Sequence, residues 1–330
     1  MNSTVRELVE RQATLQPHAI FATDGGGQRS ITYAELARAC RQVAALLLSL
    51  GSRPGDTIAV VMPNGLQTLR LLLGTMHGGW CVNPVNLLSQ PEQMRYVLGH
   101  SDCKVVIVSA EWEQPVRNML ASIGREIALL VSEPDADGLP DEEAQTPPPA
   151  SDALALLMYT SGTTGVPKGV MLTQSSLAAN AMAISAEHGL GPTDRVLAVL
   201  PLYHINAFAV TMLVPLAHGG SLAMPPKFSA ARFWAQAIDL RCTWLNVVPT
   251  MISYLLEGAT PPREQIARIR FCRSASAALP PEHLRAFEAK FGIGIIETMG
   301  LTETVAPSFS NPRGPSGKVQ RLKLLDLPDQ

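Results

Sequence analysis

Short apolar runs alternate with stretches of helical periodicity along most of the 330 residues. A strand apolar throughout its length must be covered on both faces, and helices connecting parallel strands supply that cover. The alternation therefore predicts an α/β chain with largely parallel, doubly wound sheets. In the first half, helices are expected over 4–15, 66–76 and 112–123, with strands over 57–62, 104–108 and 128–131. A hairpin is expected over 19–32. Thr32, with Glu35 three positions on, reads as the N-cap of a long helix. Leu36, Cys40, Val43, Leu47 and Leu50 form that helix's apolar stripe, and Gly51 is placed to end it. The second half repeats the alternation: strands over 153–159, 196–200, 243–248, 268–272 and 294–297, helices over 174–187, 230–239 and 281–291.

Residues 132–152 break the pattern. They carry seven acids (Glu133, Asp135, Asp137, Asp141, Glu142, Glu143, Asp152), no base, and a proline run at Pro147 to Pro149. An exposed linker between units 1–131 and 153–312 is expected, followed by a divergent tail over 313–330. Removing the seven acids from the chain's 28 leaves 21 against 26 Lys and Arg, an excess that suits a small polyanion. A net charge of −2 offers no nucleic-acid footprint. The longest apolar run, 205–217, is shorter than the roughly 18 residues a membrane helix needs. Five scattered cysteines without metal spacing read as reduced core residues of a cytoplasmic protein, and a homodimer is compatible with the composition.

The chemistry concentrates in Tyr159-Thr-Ser-Gly-Thr-Thr-Gly-Val-Pro-Lys-Gly169. An apolar strand ends at Tyr159, and Thr160, Ser161, Gly162, Thr163, Thr164 and Gly165 follow with hydroxyls and backbone N–H groups that can converge on one anion. Lys168 adds a point charge for phosphate oxygens. Pro167 before the lysine and Gly169 after it exclude a Walker A loop, in which Lys-Ser/Thr opens a helix. The alternative is a solvent loop with a surface lysine.

This string resembles the phosphate signature of the adenylate-forming superfamily of acyl- and aryl-CoA synthetases, peptide-synthetase adenylation domains and luciferases. Further segments match in order: Ile31-Thr-Tyr-Ala-Glu-Leu36, Pro54-Gly-Asp56, Met62-Pro-Asn64, Leu200-Pro-Leu-Tyr-His-Ile205, Val248-Pro-Thr250, Ser274-Ala-Ser-Ala-Ala-Leu279 and Thr298-Met-Gly-Leu-Thr-Glu303. The resemblance implies an AMP-forming ligase with two αβ subdomains. A carboxylate attacks the α-phosphate of ATP to give acyl-AMP and pyrophosphate, and CoA or a carrier-protein phosphopantetheine takes the acyl group. It also implies that Ser161 to Gly165 and Lys168 hold the β- and γ-phosphates, that Thr302 contacts the α-phosphate and that Glu303 ligates Mg²⁺. Read alone, Thr302 is a helix N-cap and Glu303 a first-turn acid; the other motifs, in order, favour the functional reading.

The same resemblance puts Ser276, Ala277, Ala278, Glu297, Thr298 and Met299 around the adenine, with Met299 replacing the family's usual aromatic ring. His204, otherwise read as a core histidine, would steady the substrate carboxylate. Ile205, Asn206, Phe208, Ala275, Thr298 and Gly300 would shape a pocket for a fatty or aryl acid. The family continues with a mobile C-terminal domain that has no counterpart in these residues, so ATP or acyl-AMP binding with poor turnover is expected.

Overall fold

The computed structural model describes residues 3–160 and 165–311. The first eight strands are β1 (Ile20–Asp24), β2 (Ser30–Thr32), β3 (Thr57–Val61), β4 (Cys81–Pro84), β5 (Val105–Val108), β6 (Ala128–Val131), β7 (Leu154–Thr160) and β8 (Lys168–Thr173). Then come β9 (Arg195–Leu197), β10 (Ser221–Met224), β11 (Trp244–Val247), β12 (Phe271–Ser274), β13 (Ile295–Met299) and β14 (Phe309–Ser310). They form two sheets, ordered β6-β5-β3-β4-β7-β8 and β14-β13-β12-β11-β9-β10-β1-β2. Only the pairs β1–β2, β7–β8 and β13–β14 run antiparallel among the described residues. Fully buried strands such as Val105–Val108 show why: with both faces covered, a helix must return the chain to the next parallel strand.

Alternate residues of the strands feed separate cores. Ile58, Val60, Val82 and Leu156 of the smaller sheet meet Ala22, Val196, Leu222 and Phe271 of the larger one in a central core, which also takes residues from the helices Tyr33–Ser49, Leu66–His77 and Gln174–Glu187. Ala59 and Val61 point the other way, toward Met94 and Val116, while Leu197 and Leu245 pack under Trp234, Phe287 and Phe291. The result is helix, sheet, helix, sheet, helix, with the middle helical layer shared.

The strand pairing does not follow the division at the linker. β1, from the first half, pairs with β10 through Ala22 and Leu222, and β7, from the second, pairs with β4 through Val82 and Leu156. Residues 132–152 have no regular structure, yet they are tied down along helices of the middle layer. The Pro134 carbonyl accepts from Gln67 N (2.8 Å), and Asp135 Oδ1 accepts from Leu66 N (3.1 Å), serving the free N–H groups of the helix Leu66–His77. Gly65 is needed there, since a Cβ would lie 2.1 Å from the Pro134 oxygen. Arg38 and Arg41 both reach Glu143, at 3.1 and 2.6 Å.

The Thr32 capping box forms as expected: Thr32 Oγ1 accepts from Glu35 N (3.2 Å) and Glu35 Oε2 accepts from Thr32 N (2.7 Å). The apolar run at 205–217 is not one regular helix. Asn206–Leu213 is π-helical, Val214–His218 is α-helical, and Gly219 ends it in the left-handed region. All five cysteines are buried and unpaired. Burial pushes the thiols of Cys81 and Cys242 up to about 12. No helix among the described residues is long and apolar enough to cross a membrane.

Candidate active site

A cleft of about 830 Å³ opens between the two sheets. Its walls come from residues at or just after the carboxyl ends of strands: Tyr159 and Thr160 of β7, Leu200 beyond β9, Val248 beyond β11, Ala275 and Ser276 beyond β12, and Gly300 beyond β13. Ligands of open α/β sheets sit at such ends, where the loops of neighbouring parallel strands diverge. The smaller sheet also contributes Asn86 and Leu88, in the segment after β4.

Ten of the residues singled out from the sequence meet in this cleft: Thr160, His204, Ile205, Asn206, Ala275, Ser276, Thr298, Gly300, Thr302 and Glu303. Phe208 does not. It is fully buried in the central core, because the π-helical turns direct it inward while only Ile205 and Asn206, at the start, face the cleft. Ala277 and Ala278 are exposed beside the cleft without lining it, and Met299 is two-thirds exposed and likewise outside its wall. Glu297 has a structural contact instead: its Oε1 accepts from Leu279 N (2.9 Å), fixing the turn that follows β12. Ser276 in that turn has φ 76°, a left-handed conformation that costs a residue with a Cβ roughly 1 kcal/mol.

Ser161, Gly162, Thr163 and Thr164 lie outside the described residues. Their flanks are placed: Thr160 and Lys168 are opposed across the antiparallel pair β7–β8, which holds the exposed Lys168 close to the cleft mouth. Gly165 is also exposed and has φ 81°.

Thr302 and Glu303 begin a single 3₁₀ turn, Thr302–Thr304, and the cap there is Thr304 Oγ1 accepting from Leu301 N (3.2 Å). Thr302 is therefore not an N-cap, and the Glu303 carboxylate is exposed with no ion-pair partner among the described residues. Gly300 precedes this turn where a Cβ would sit 2.7 Å from Pro307 Cα, so the chain can fold back over the cleft only with glycine there. His204 opens to the cleft, and its ring contacts Tyr203 edge-on, with centroids 4.8 Å apart. Desolvation holds its pKa below the usual imidazole value, so the ring is neutral at pH 7 and offers one N–H donor.

Sequence reasoning missed the floor of the site. Arg273, on β12, is completely buried and lines the cleft. Its Nη1 donates to Asn246 Oδ1 (2.9 Å) and Asn206 Oδ1 (3.1 Å), and its Nη2 donates to Thr298 Oγ1 (2.6 Å). Burial lowers its pKa to about 9, which leaves it charged at neutral pH. No local signal set it apart: Arg268 and Arg270 precede it in the same stretch, and only packing shows that all four positions of β12 are buried.

No cluster of three metal-ligating side chains occurs among the described residues. Mg²⁺ commonly needs only one or two protein carboxylates when phosphates supply further oxygens, and the unpaired Glu303 fits that requirement.

Comparison with known proteins agrees with the geometry. The AMP-binding enzyme family model matches residues 9–324, and the chain belongs to that family. It is 52% identical over 318 residues to a sulfoacetate–CoA ligase of Cupriavidus necator, covering 94% of this chain and 62% of the relative. An oxalate–CoA ligase of Arabidopsis thaliana is 30% identical, with 94% and 63% covered. The ATP-bound structure of MatB from Rhodopseudomonas palustris superposes with a TM-score of 0.85 at 28% identity, covering 93% of this chain and 62% of that one. The chain thus spans less than two thirds of the length of these relatives. An N-terminal domain of FACL13 from Mycobacterium tuberculosis shares the fold, with a TM-score of 0.82 at 22% identity.

Proposed function

We propose that the chain is the large, substrate-binding part of an adenylate-forming acid–CoA ligase. A carboxylate oxygen attacks the α-phosphorus of ATP, the bond to the bridging oxygen breaks, and pyrophosphate leaves with that electron pair; the CoA thiol later displaces AMP. The observation that carries this reading is the convergence of Thr160, His204, Ser276, Thr302 and Glu303 on one cleft at the carboxyl ends of strands from both sheets.

The chemical difficulty is bringing two anions together, so oriented donors and cations must face the transferring phosphoryl group. In this assignment Lys168, with Ser161 to Gly165, holds the β- and γ-phosphates, and the Thr302 hydroxyl, which has no hydrogen-bond partner among the described residues, meets the α-phosphate. Glu303, together with phosphate oxygens, would hold a Mg²⁺ ion, which would supply charge neutralisation there. The neutral His204 ring donates to the acid's carboxylate and steadies it without adding a competing charge. Ser276 and the residues beside it border the adenine. CoA is favoured as acceptor over a carrier-protein phosphopantetheine by the names of the relatives.

Those names also bear on the acid. Sulfoacetate and oxalate each carry two acidic groups on a very short skeleton, unlike the fatty or aryl acid that the family resemblance first suggested.

Calorimetric titration of the purified chain with ATP, AMP and a non-hydrolysable acyl-sulfamoyl adenosine tests the reading. It predicts binding of all three, tightest for the bisubstrate mimic, because that ligand spans both subsites. Failure of every nucleotide to bind would overturn it. Acid-dependent ATP–pyrophosphate exchange then separates an adenylating enzyme from a protein that only binds.

A further inference from the structure

We propose that Arg273, with Asn206 beside it, is the element of the cleft that recognises a second anionic group on the acid, at the end remote from the carboxylate to be adenylated. The inference rests on the ligase reading and names the residue that would set its acid specificity.

A buried guanidinium is costly unless an anion compensates it. Arg273 has no carboxylate within 4 Å among the described residues; its acceptors are two neutral amides and one hydroxyl. Among the described residues its Nε–H has no acceptor, and neither does the Nδ2 amide of Asn206, although the residues are only 0% and 5% exposed. Both residues line the cleft. Two orphaned donors and an uncompensated charge therefore meet on one wall, linked through the 3.1 Å bond between Nη1 and Asn206 Oδ1. Native interiors rarely leave such donors unpaired, and those that remain call for a missing partner.

A sulfonate or carboxylate supplies what is lacking: negative charge and several acceptor oxygens, for which a guanidinium is well matched. An alkyl tail or aryl ring in the same place would leave both donors unsatisfied and the cation uncompensated. His204 and Asn206 both line the cleft and lie two residues apart in the chain, so one acid can touch both from neighbouring positions of a single segment.

The test is titration of the full chain, saturated with the non-reactive α,β-methylene analogue of ATP, with sulfoacetate, malonate and propionate in turn. The wild-type protein should bind the two doubly charged acids at least ~10-fold more tightly than propionate, the range expected for one charge-assisted hydrogen bond. Arg273→Met should abolish that preference. Asn206→Asp tests the site without emptying it: the new carboxylate would pair with Arg273 in place of the ligand's anion, so the preference should again fall by ~10-fold or more while the analogue still binds. Equal affinities for the three acids in the wild-type chain overturn the proposal and leave the ligase reading intact, as does a preference that survives in Asn206→Asp. Failure of the analogue itself to bind overturns the ligase reading, and this inference with it.

Discussion

Lys168 and Glu303 share one property that makes them informative: both are exposed, and neither has an ion-pair partner among the described residues. Replacing either should therefore change ligand binding without changing stability. Lys168→Ala is expected to weaken ATP by ~10-fold, from loss of one charged phosphate contact, with an unaltered melting temperature. Glu303→Gln should flatten the dependence of ATP affinity on Mg²⁺ concentration, whereas an identical metal titration would remove Glu303 from that role. His204 carries a pH prediction. Desolvation lowers its pKa below the ordinary value near 6.5, so the ring stays neutral above pH 7. Acid affinity should be level from pH 7 to 8, and a steep loss over that interval would mean that the imidazolium is the binding form. Motif order makes His204, Thr302 and Glu303 legible as candidates from the sequence alone. It does not make Arg273 legible, because its significance lies in the absence of a counter-ion, which only packing reveals. Phe208 was misplaced for a related reason: helical periodicity cannot announce a π-helical turn.

Among the elements, those with strong local signals formed where expected. Gln174–Glu187 has its anticipated bounds, and the Thr32 capping box starts Tyr33–Ser49. Thr32→Ala should cost ~1 kcal/mol in chemical denaturation, by loss of the cap. The strands β4, β8, β10 and the two-residue β14 were not foreseen. β4 and β10 are four residues long, and β8 alternates weakly from a start at Lys168 and Gly169; each is a strand because a neighbour offers it hydrogen bonds, not because its residues insist. The loop entering β9 shows the reverse case, a polar device with a clear local function. Burial raises the Asp194 pKa, but Arg270 Nη1 at 2.6 Å, Gly191 N at 2.9 Å and Thr243 Oγ1 at 2.8 Å outweigh it, and the net shift is downward. A lowered folded-state pKa stabilises the protein above the unfolded value, near 3.9, and that contribution vanishes as pH falls through the folded value. Asp194→Asn should thus cost ~3 kcal/mol at pH 7, with the gap from wild type closing below pH 4 in urea titrations.

At the scale of the whole molecule, the reading of two units joined by a linker caught the alternation of strands and helices but not the way the units interlock. Composition marks 132–152 as a boundary, yet β1 and β2 cross it in one direction and β7 and β8 in the other, and both sheets share the central core. Such exchange is set by long-range pairing and leaves no trace in local periodicity. It predicts joint unfolding: single-tryptophan variants retaining Trp80, in the central core, or Trp234, under the larger sheet, should melt at the same denaturant midpoint. Interlocking also fixes the two sheets relative to each other, and so fixes the cleft that both of them line. The most direct test of that cleft as the nucleotide site is a crystal of the chain grown with ATP and Mg²⁺. Triphosphate density between Thr160 and Thr302, with the adenine beside Ser276, is the predicted result; clear density for ATP anywhere else on the protein, with this crevice holding only solvent, would contradict the account.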